Sequence, residues 1–210
     1  MPPPVPGIKL SAVHAVFFDF GETLVVLSPT KEELFVRAAQ SCGLKLSVDM
    51  VRRGYQTVDF HNKYSSVHTK DRESFYHHYN QQLCEALGIS SHFAQLAPAL
   101  ATHFKLNKRW KLIEDVPDVL QRLSGHGLPL ALVANWGSDL ESLTEELGIR
   151  QYFAAIIPSQ VAGVEKPDPA IFHLALDRLS LSASTQTVLY VGNEYRADVM
   201  GARAAGLTPV

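Results

Sequence analysis

The chain has 210 residues, 46% of them hydrophobic and 19% charged, with a formal net charge of −2. The length suits one α/β domain with an inserted module, or two small domains, and the composition is that of a globular protein with a proper core. The near-neutral charge gives no electrostatic case for nucleic acid as a partner, and no apolar stretch reaches the roughly 18 residues of a membrane span.

Cys42 and Cys84 both fall among helix-patterned residues and read as small buried hydrophobes of a reducing compartment. The opening Met1-Pro2-Pro3-Pro4-Val5-Pro6-Gly7 has neither the basic nor the apolar region of a secretory signal. Residues 1–12 are therefore expected to form a disordered, polyproline-like arm, and the cytoplasm is the expected compartment. From Val13 to Phe18 an almost unbroken apolar run has the pattern of a parallel strand buried on both faces, and it stops at Asp19. An Asp there either caps a turn or faces the crevice at which open α/β sheets bind ligands.

After a short exit, Thr30 and Glu33 fit a capping box, Phe35, Ala38, Ala39 and Cys42 follow helical spacing, and Gly43 supplies the stop. Helices are predicted over about 48 to 64, 72 to 87 and 91 to 105, with Tyr76, Tyr79, Leu83 and Leu87 on one face of the second and a break at Pro98 in the third. Residues 28–109 thus read as a helical insertion without a strand. From Trp110 the α/β pattern returns: a helix from Val116 to Ser124, a buried strand from Leu128 to Val133, and a capping box at Ser138 and Glu141 that opens a helix ending at Gly148. Phe153 to Ile157 is a third strand, and Asp168 caps a helix with Pro169 in its first turn and Phe172, Ala175, Leu176 and Leu179 on one face. Thr187 to Val191 is a fourth strand, and a last helix carries Asp198, Ala202 and Ala205 as far as Gly206. The chain stops at Thr208-Pro209-Val210, which reads as the start of another strand and suggests a truncated end. Strands alternating with helices in this way predict an α/β fold, a doubly wound, Rossmann-like parallel sheet with an inserted all-helical module.

Four stretches resemble, in order, the motifs of the haloacid dehalogenase (HAD) superfamily. Asp19-Phe20-Gly21-Glu22-Thr23 follows the first strand, and Ala134-Asn135 stands where the second motif ends in Ser or Thr. Lys166 in Glu165-Lys166-Pro167-Asp168-Pro169 matches the third motif, and Gly192-Asn193-Glu194 with Asp198 matches the fourth. The resemblance implies a core of residues 13–27 and 110–210 with a helical cap of residues 28–109. It implies Asp19 as the nucleophile that becomes an aspartyl-phosphate and Lys166 as the neighbouring cation. Thr23, Ala134 and Asn135 would be substrate-binding, and Mg²⁺ would be held by Asp19, the Gly21 carbonyl, Asn193 and Asp198. The expected function is Mg²⁺-assisted hydrolysis of a small phosphorylated molecule.

Three positions depart from that pattern. Gly21 replaces the second Asp of the first motif, the general acid and base, a loss worth roughly 10²- to 10⁴-fold in rate. Ala134 lacks a hydroxyl donor, and Asn193 offers a carbonyl oxygen without a charge. Glu22 and Glu194 lie beside the lost positions and are either replacements or solvated loop carboxylates. Two alternatives stand beside the weak phosphatase: a catalytically silent protein binding a ligand or partner in the same crevice, and a metal-free 2-haloacid dehalogenase-like hydrolase. Arg37, Arg52 and Arg53 are the cations available to the latter, if they are not simply a solvated helix face. The nine histidines show no ligand spacing with cysteines or carboxylates. Substrate identity and oligomeric state are not encoded in any motif.

Overall fold

The computed structural model describes residues 10–62, 72–107, 109–182 and 187–210. Strand β1 (Val13–Phe18) is followed by β2 (Val25–Leu27) and by four helices, α1 (Lys31–Ser41), α2 (Val48–Asn62), α3 (Arg72–Ala86) and α4 (Phe93–Asn107). Strand β3 (Trp110–Leu112) then leads through α5 (Val116–Gly125) to β4 (Leu130–Ala134), α6 (Leu140–Glu146), β5 (Phe153–Pro158), α7 (Ser159–Ala162) and α8 (Pro169–Arg178). Strand β6 (Thr187–Val191), α9 (Gly201–Ala204) and β7 (Thr208–Pro209) complete the described chain.

Five strands form one sheet in the order β5-β4-β1-β6-β7, all pairs parallel. The period of two along each strand sorts its side chains. Ala15 and Phe17 of β1, Ala131 and Val133 of β4, and Val188 and Tyr190 of β6 share one buried cluster with Ile171, Phe172, Ala175 and Leu176 of α8. Val16 and Phe18, buried as well, belong to the opposite face. Such two-sided burial is why the first strand reads as an apolar run rather than an alternation.

The chain divides into two compact units, Met1–Val26 with Lys111–Val210, and Leu27–Trp110, and the boundary falls within a two-stranded sheet of β2 and β3. The second unit is helical and has its own core, in which Phe35, Ala38 and Ala39 of α1 meet Val51 and Tyr55 of α2, Leu83 and Cys84 of α3, and Leu96 and Leu100 of α4. Helix α1 begins with the expected reciprocal cap: the Glu33 N–H donates to Thr30 Oγ1 at 3.2 Å, and the Thr30 N–H donates to Glu33 Oε2 at 2.9 Å. Gly43 follows at φ 79°, the left-handed conformation that ends the helix.

Several expectations are corrected. Helix α4 continues through Pro98; one backbone donor is lost there, but Leu96 and Leu100 on either side are fully buried and hold the helix by packing. Tyr76 is 52% exposed, so the buried face of α3 is narrower than the spacing suggests. Helix α6 is entered from Asp139 with no side-chain cap, because the Ser138 N–H is taken by Gln160 Oε1 at 2.9 Å. The three-residue strands β2 and β3 were not foreseen, β4 starts two residues later than predicted, and residues 195–200 form a π-helical turn rather than an α-helix. Within the expected N-terminal arm, Leu10–Ala12 form a 3₁₀ turn; residues 1–9, the end of the predicted 48–64 helix and His68 lie outside the described residues. Among the described residues no helix is long and apolar enough to cross a membrane.

The cap of α1 gives a direct test. Thr30→Ala removes one half of the reciprocal pair and is expected to lower stability by about 1 kcal/mol in urea unfolding. An unchanged midpoint would show that the pair adds nothing to the helical unit.

Candidate active site

The site forms at the carboxyl ends of β1, β4 and β6. Strands β4 and β5 lie to one side of β1 and β6 and β7 to the other, so the segments leaving β1 and β6 meet where the sheet order reverses. The Asp19 N–H donates to Val191 O at 2.8 Å, which adds a residue to the β1–β6 ladder and fixes the base of the Asp19 side chain. A tight turn follows. The amides of Leu24 and Val25 both donate to Phe20 O, and the Glu22 N–H donates to Val25 O. Glu22 adopts φ 58°, a left-handed conformation uncommon for a residue with a side chain. This turn carries Thr23 back, so that its Oγ1 lies 3.3 Å from both Asp19 Oδ2 and Asn193 Oδ1.

Lys166 is 2% exposed, and its ammonium faces three acceptors: Asp19 Oδ1 at 2.6 Å, Asp198 Oδ1 at 2.7 Å and the Tyr190 hydroxyl at 2.8 Å. An ammonium has three N–H donors, so all three are matched. Its backbone is clamped as well, because Asn135 Nδ2 donates to Lys166 O at 2.9 Å and the Lys166 N–H donates to Asn135 Oδ1 at 2.8 Å. Two residues on, the Asp168 side chain accepts from the Ala170 N–H and starts α8 as expected.

Asp198 is delivered by the π-helical turn Tyr195–Met200, in which one extra residue per turn swings it back under the end of β6. Its Oδ2 accepts from the Glu194 N–H at 2.9 Å, and its Oδ1 accepts from Lys166 and, at 3.1 Å, from Tyr190. A Cβ on residue 192 would come within 2.4 Å of Asp198 Cγ, so Gly192 is required for Asp198 to occupy this position. The Tyr190 hydroxyl also lies 2.9 Å from Val133 O, and its ring meets Phe172 edge-on at 5.0 Å.

The arrangement gathers Asp19, Thr23, Lys166, Asn193 and Asp198 into one hydrogen-bonded cluster. Asn135 joins it through the backbone of Lys166, to which it gives one N–H of its side-chain amide and from which its Oδ1 accepts. Ala134 is buried at the end of β4 and contributes no polar side chain. The Glu22 side chain is exposed and has no hydrogen bond or ion pair to the cluster among the described residues. Sequence reasoning overlooked Tyr190, which reads as one more core aromatic of a buried strand; the signal was its hydroxyl, since a buried Tyr O–H requires a partner.

Burial pushes the Asp19 carboxyl above its ordinary value; Lys166 pulls it back down, and the charge of Asp198 adds to the rise. Burial, followed by the charges of Asp198 and Asp19, holds the Tyr190 phenol well above its usual range, so it remains a neutral hydroxyl.

The oxygen donors fit a hard dication sparingly. Asp198 Oδ1 faces Lys166 and Tyr190 and its Oδ2 accepts from the Glu194 N–H, so Asp198 grips Lys166 and has a lone pair of Oδ2 left for a cation. Beside it stand Asp19 Oδ2 and Asn193 Oδ1, each 3.3 Å from the Thr23 hydroxyl. Among the described residues no group of three or more His, Cys, Asp or Glu could hold a metal ion. A set of carboxylate and neutral oxygens suits Mg²⁺, which keeps several waters, better than it suits a softer metal.

Residues 13–206 match the family model of the haloacid dehalogenase-like hydrolases, and the chain belongs to that family. It is 28% identical over 204 residues to haloacid dehalogenase-like hydrolase domain-containing protein 3 of Danio rerio, covering 93% of this chain and 83% of that protein. The bovine form is 34% identical over 114 residues, 54% of this chain, and that alignment spans only 45% of the bovine protein. Ribulose-1,5-bisphosphate 5-phosphatase of Halopiger xanaduensis is 26% identical over 200 residues, covering 93% of this chain and 83% of that protein. In fold, the chain is similar to magnesium-bound YfnB of Bacillus subtilis, with a TM-score of 0.71 at 21% identity over 94% of this chain and 87% of that one.

The two aspartates are expected to differ in what they do for stability. For Asp19 the folded-state value is raised, so between the unfolded and folded values the native state holds the extra proton, and stability falls as pH rises through that window. Asp19→Asn should therefore melt higher than the parent at pH 7, with the gap closing toward acid pH. Asp198→Asn should melt lower, because an amide can match Lys166 or the Glu194 N–H but not both, at a cost of about 3–5 kcal/mol for a broken buried pair. Thermal unfolding of both variants across pH reads the contrast, and equal shifts would contradict it.

Proposed function

We propose that the protein hydrolyses a small phosphorylated molecule with metal assistance, through an aspartyl-phosphate at Asp19. The observation that carries this reading is the 2.6 Å contact between Lys166 Nζ and Asp19 Oδ1 at the end of the central strand. A nucleophilic carboxylate needs a fixed orientation and a nearby positive charge to meet a phosphoryl group, and Lys166 supplies both. The similarity to a ribulose bisphosphate phosphatase supports phosphorus rather than carbon as the centre attacked.

In this reading a carboxylate oxygen of Asp19 attacks phosphorus and is held in place by Lys166 and Thr23. Lys166 offsets the charge that develops on the phosphoryl oxygens, while Asp198 and Tyr190 hold its ammonium in place. Asn135 fixes the backbone from which Lys166 projects. Mg²⁺ would be held by Asp19, the Gly21 carbonyl and Asn193, and would supply further neutralisation of the phosphoryl oxygens. Water then attacks the aspartyl-phosphate and releases phosphate. Because residue 21 has no carboxyl group, turnover is slow, lower by roughly 10²- to 10⁴-fold than with a general acid.

The first experiment is turnover of p-nitrophenyl phosphate by the purified protein, with and without Mg²⁺, beside Asp19→Asn. Slow, Mg²⁺-dependent turnover that vanishes in the variant is the expected result. Turnover equal in parent and variant, or none in either, overturns the reading, and the latter outcome favours a silent binder. The pH profile adds a check: Asp19 must be ionised to attack, so its raised value moves the acid-side loss of kcat/KM to higher pH than an ordinary carboxylate would give.

A further inference from the structure

The chemistry proposed above leaves one proton unaccounted for. When the bond from phosphorus to the leaving oxygen breaks, the electron pair goes to that oxygen, and an acid beside it normally protonates it. The acidic and phenolic groups of the cluster are all committed. Asp198 has both oxygens on protein donors, the Tyr190 hydroxyl lies between Val133 O and Asp198, and Asp19 is the attacking group. The Glu22 carboxylate is exposed and linked to none of them.

Residue 21, in the turn after Asp19, has no side chain. A Cβ built on Gly21 would lie 3.4 Å from Trp136 Cζ3, and the Trp136 ring packs edge-on against Phe20 at 4.9 Å. The side from which an acid on residue 21 would reach is thus bounded by a half-buried indole, an apolar wall without a carboxyl group.

Resting on the aspartyl-phosphate reading, we infer that the site takes acyl or aryl phosphates rather than alkyl phosphates. In the first step the Asp19 oxygen forms a bond to phosphorus while the bond to the leaving oxygen breaks. The leaving group departs unprotonated, as a carboxylate or phenolate, and needs no acid. An alkoxide is too basic to leave in this way. In the second step water attacks phosphorus, the bond to Asp19 breaks, the carboxylate is restored and the proton passes to solvent. The apolar edge of Trp136 suits the organic part of such a leaving group.

The test is the dependence of kcat/KM on leaving-group basicity, measured with acetyl phosphate and a series running from nitrophenyl through phenyl to alkyl phosphates. This parameter reports steps up to departure of the leaving group, so slow hydrolysis of the aspartyl-phosphate does not mask it. A steep fall is expected, with alkyl phosphates about 10²-fold or more below nitrophenyl phosphate, the size of a missing general acid. Gly21→Asp, whose Cβ would sit at van der Waals contact with Trp136, should flatten the slope by raising alkyl phosphates most and acetyl phosphate least. A flat series in the parent protein, alkyl and nitrophenyl phosphates within about tenfold, overturns the inference and leaves the phosphohydrolase reading intact. No turnover of acetyl or nitrophenyl phosphate above Asp19→Asn overturns both.

Discussion

A single buried ammonium sets the terms for the rest of this site. Lys166 is 2% exposed, and removing its charge from water costs several kcal/mol unless every N–H finds an acceptor. The three acceptors come from three places: Asp19 after β1, Tyr190 within β6 and Asp198 from the turn beyond β6. Asn135, after β4, holds the backbone of the same residue. The carboxyl ends of three adjacent strands are therefore tied to one side chain, and the local oddities of the chain follow from that. Gly192 has no side chain because Asp198 needs the space, and the turn carrying Asp198 is wound as a π-helix so that the carboxylate points inward.

The fold was legible because it rests on local and periodic signals. Unbroken apolar runs marked β1 and β6, and the Thr30–Glu33 pair and the Asp168-Pro169 start marked two helix N-termini, both realised by side-chain caps. What failed was decided by partners distant in sequence. The Ser138–Glu141 pattern looks the same on paper as Thr30–Glu33, but the Ser138 amide is captured by Gln160, 22 residues away. Pro98 is a strong local breaker that loses to the burial of Leu96 and Leu100. Strands of three residues, such as β2 and β3, are too short for any periodicity to mark.

The site was legible in its anchor points and not in its wiring. Asp19, Lys166 and Asp198 were picked out by their positions relative to strands and to the motif order, and they lie together. Which atom faces which could not be read from order alone. Asn135 was expected to face a substrate, and its second role, an amide that clamps the backbone of Lys166 from 31 residues away, has no mark in the motif order. Asp198 was expected among the metal ligands, and its grip on Lys166 and the Glu194 amide has no mark in the motif order. Tyr190 could not be separated from Phe17 or Phe172 by pattern, since all three are fully buried aromatics and only the hydroxyl distinguishes it.

The departures at Gly21 and Asn193 act together on the charge of the site. Asp19, Asp198 and Lys166 leave the cluster with one net negative charge, whereas carboxylates at both altered positions would have added two more. A less negative cluster attracts a dication less strongly. It also repels an incoming phosphate less, so the charge a metal must offset before the dianion can approach Asp19 is smaller. Losing the acid at 21 and the charge at 193 is therefore not two independent defects. In the proposed reaction both shift the work of phosphoryl transfer away from proton delivery and metal charge and onto the Lys166–Asp19 pair, which lies at 2.6 Å.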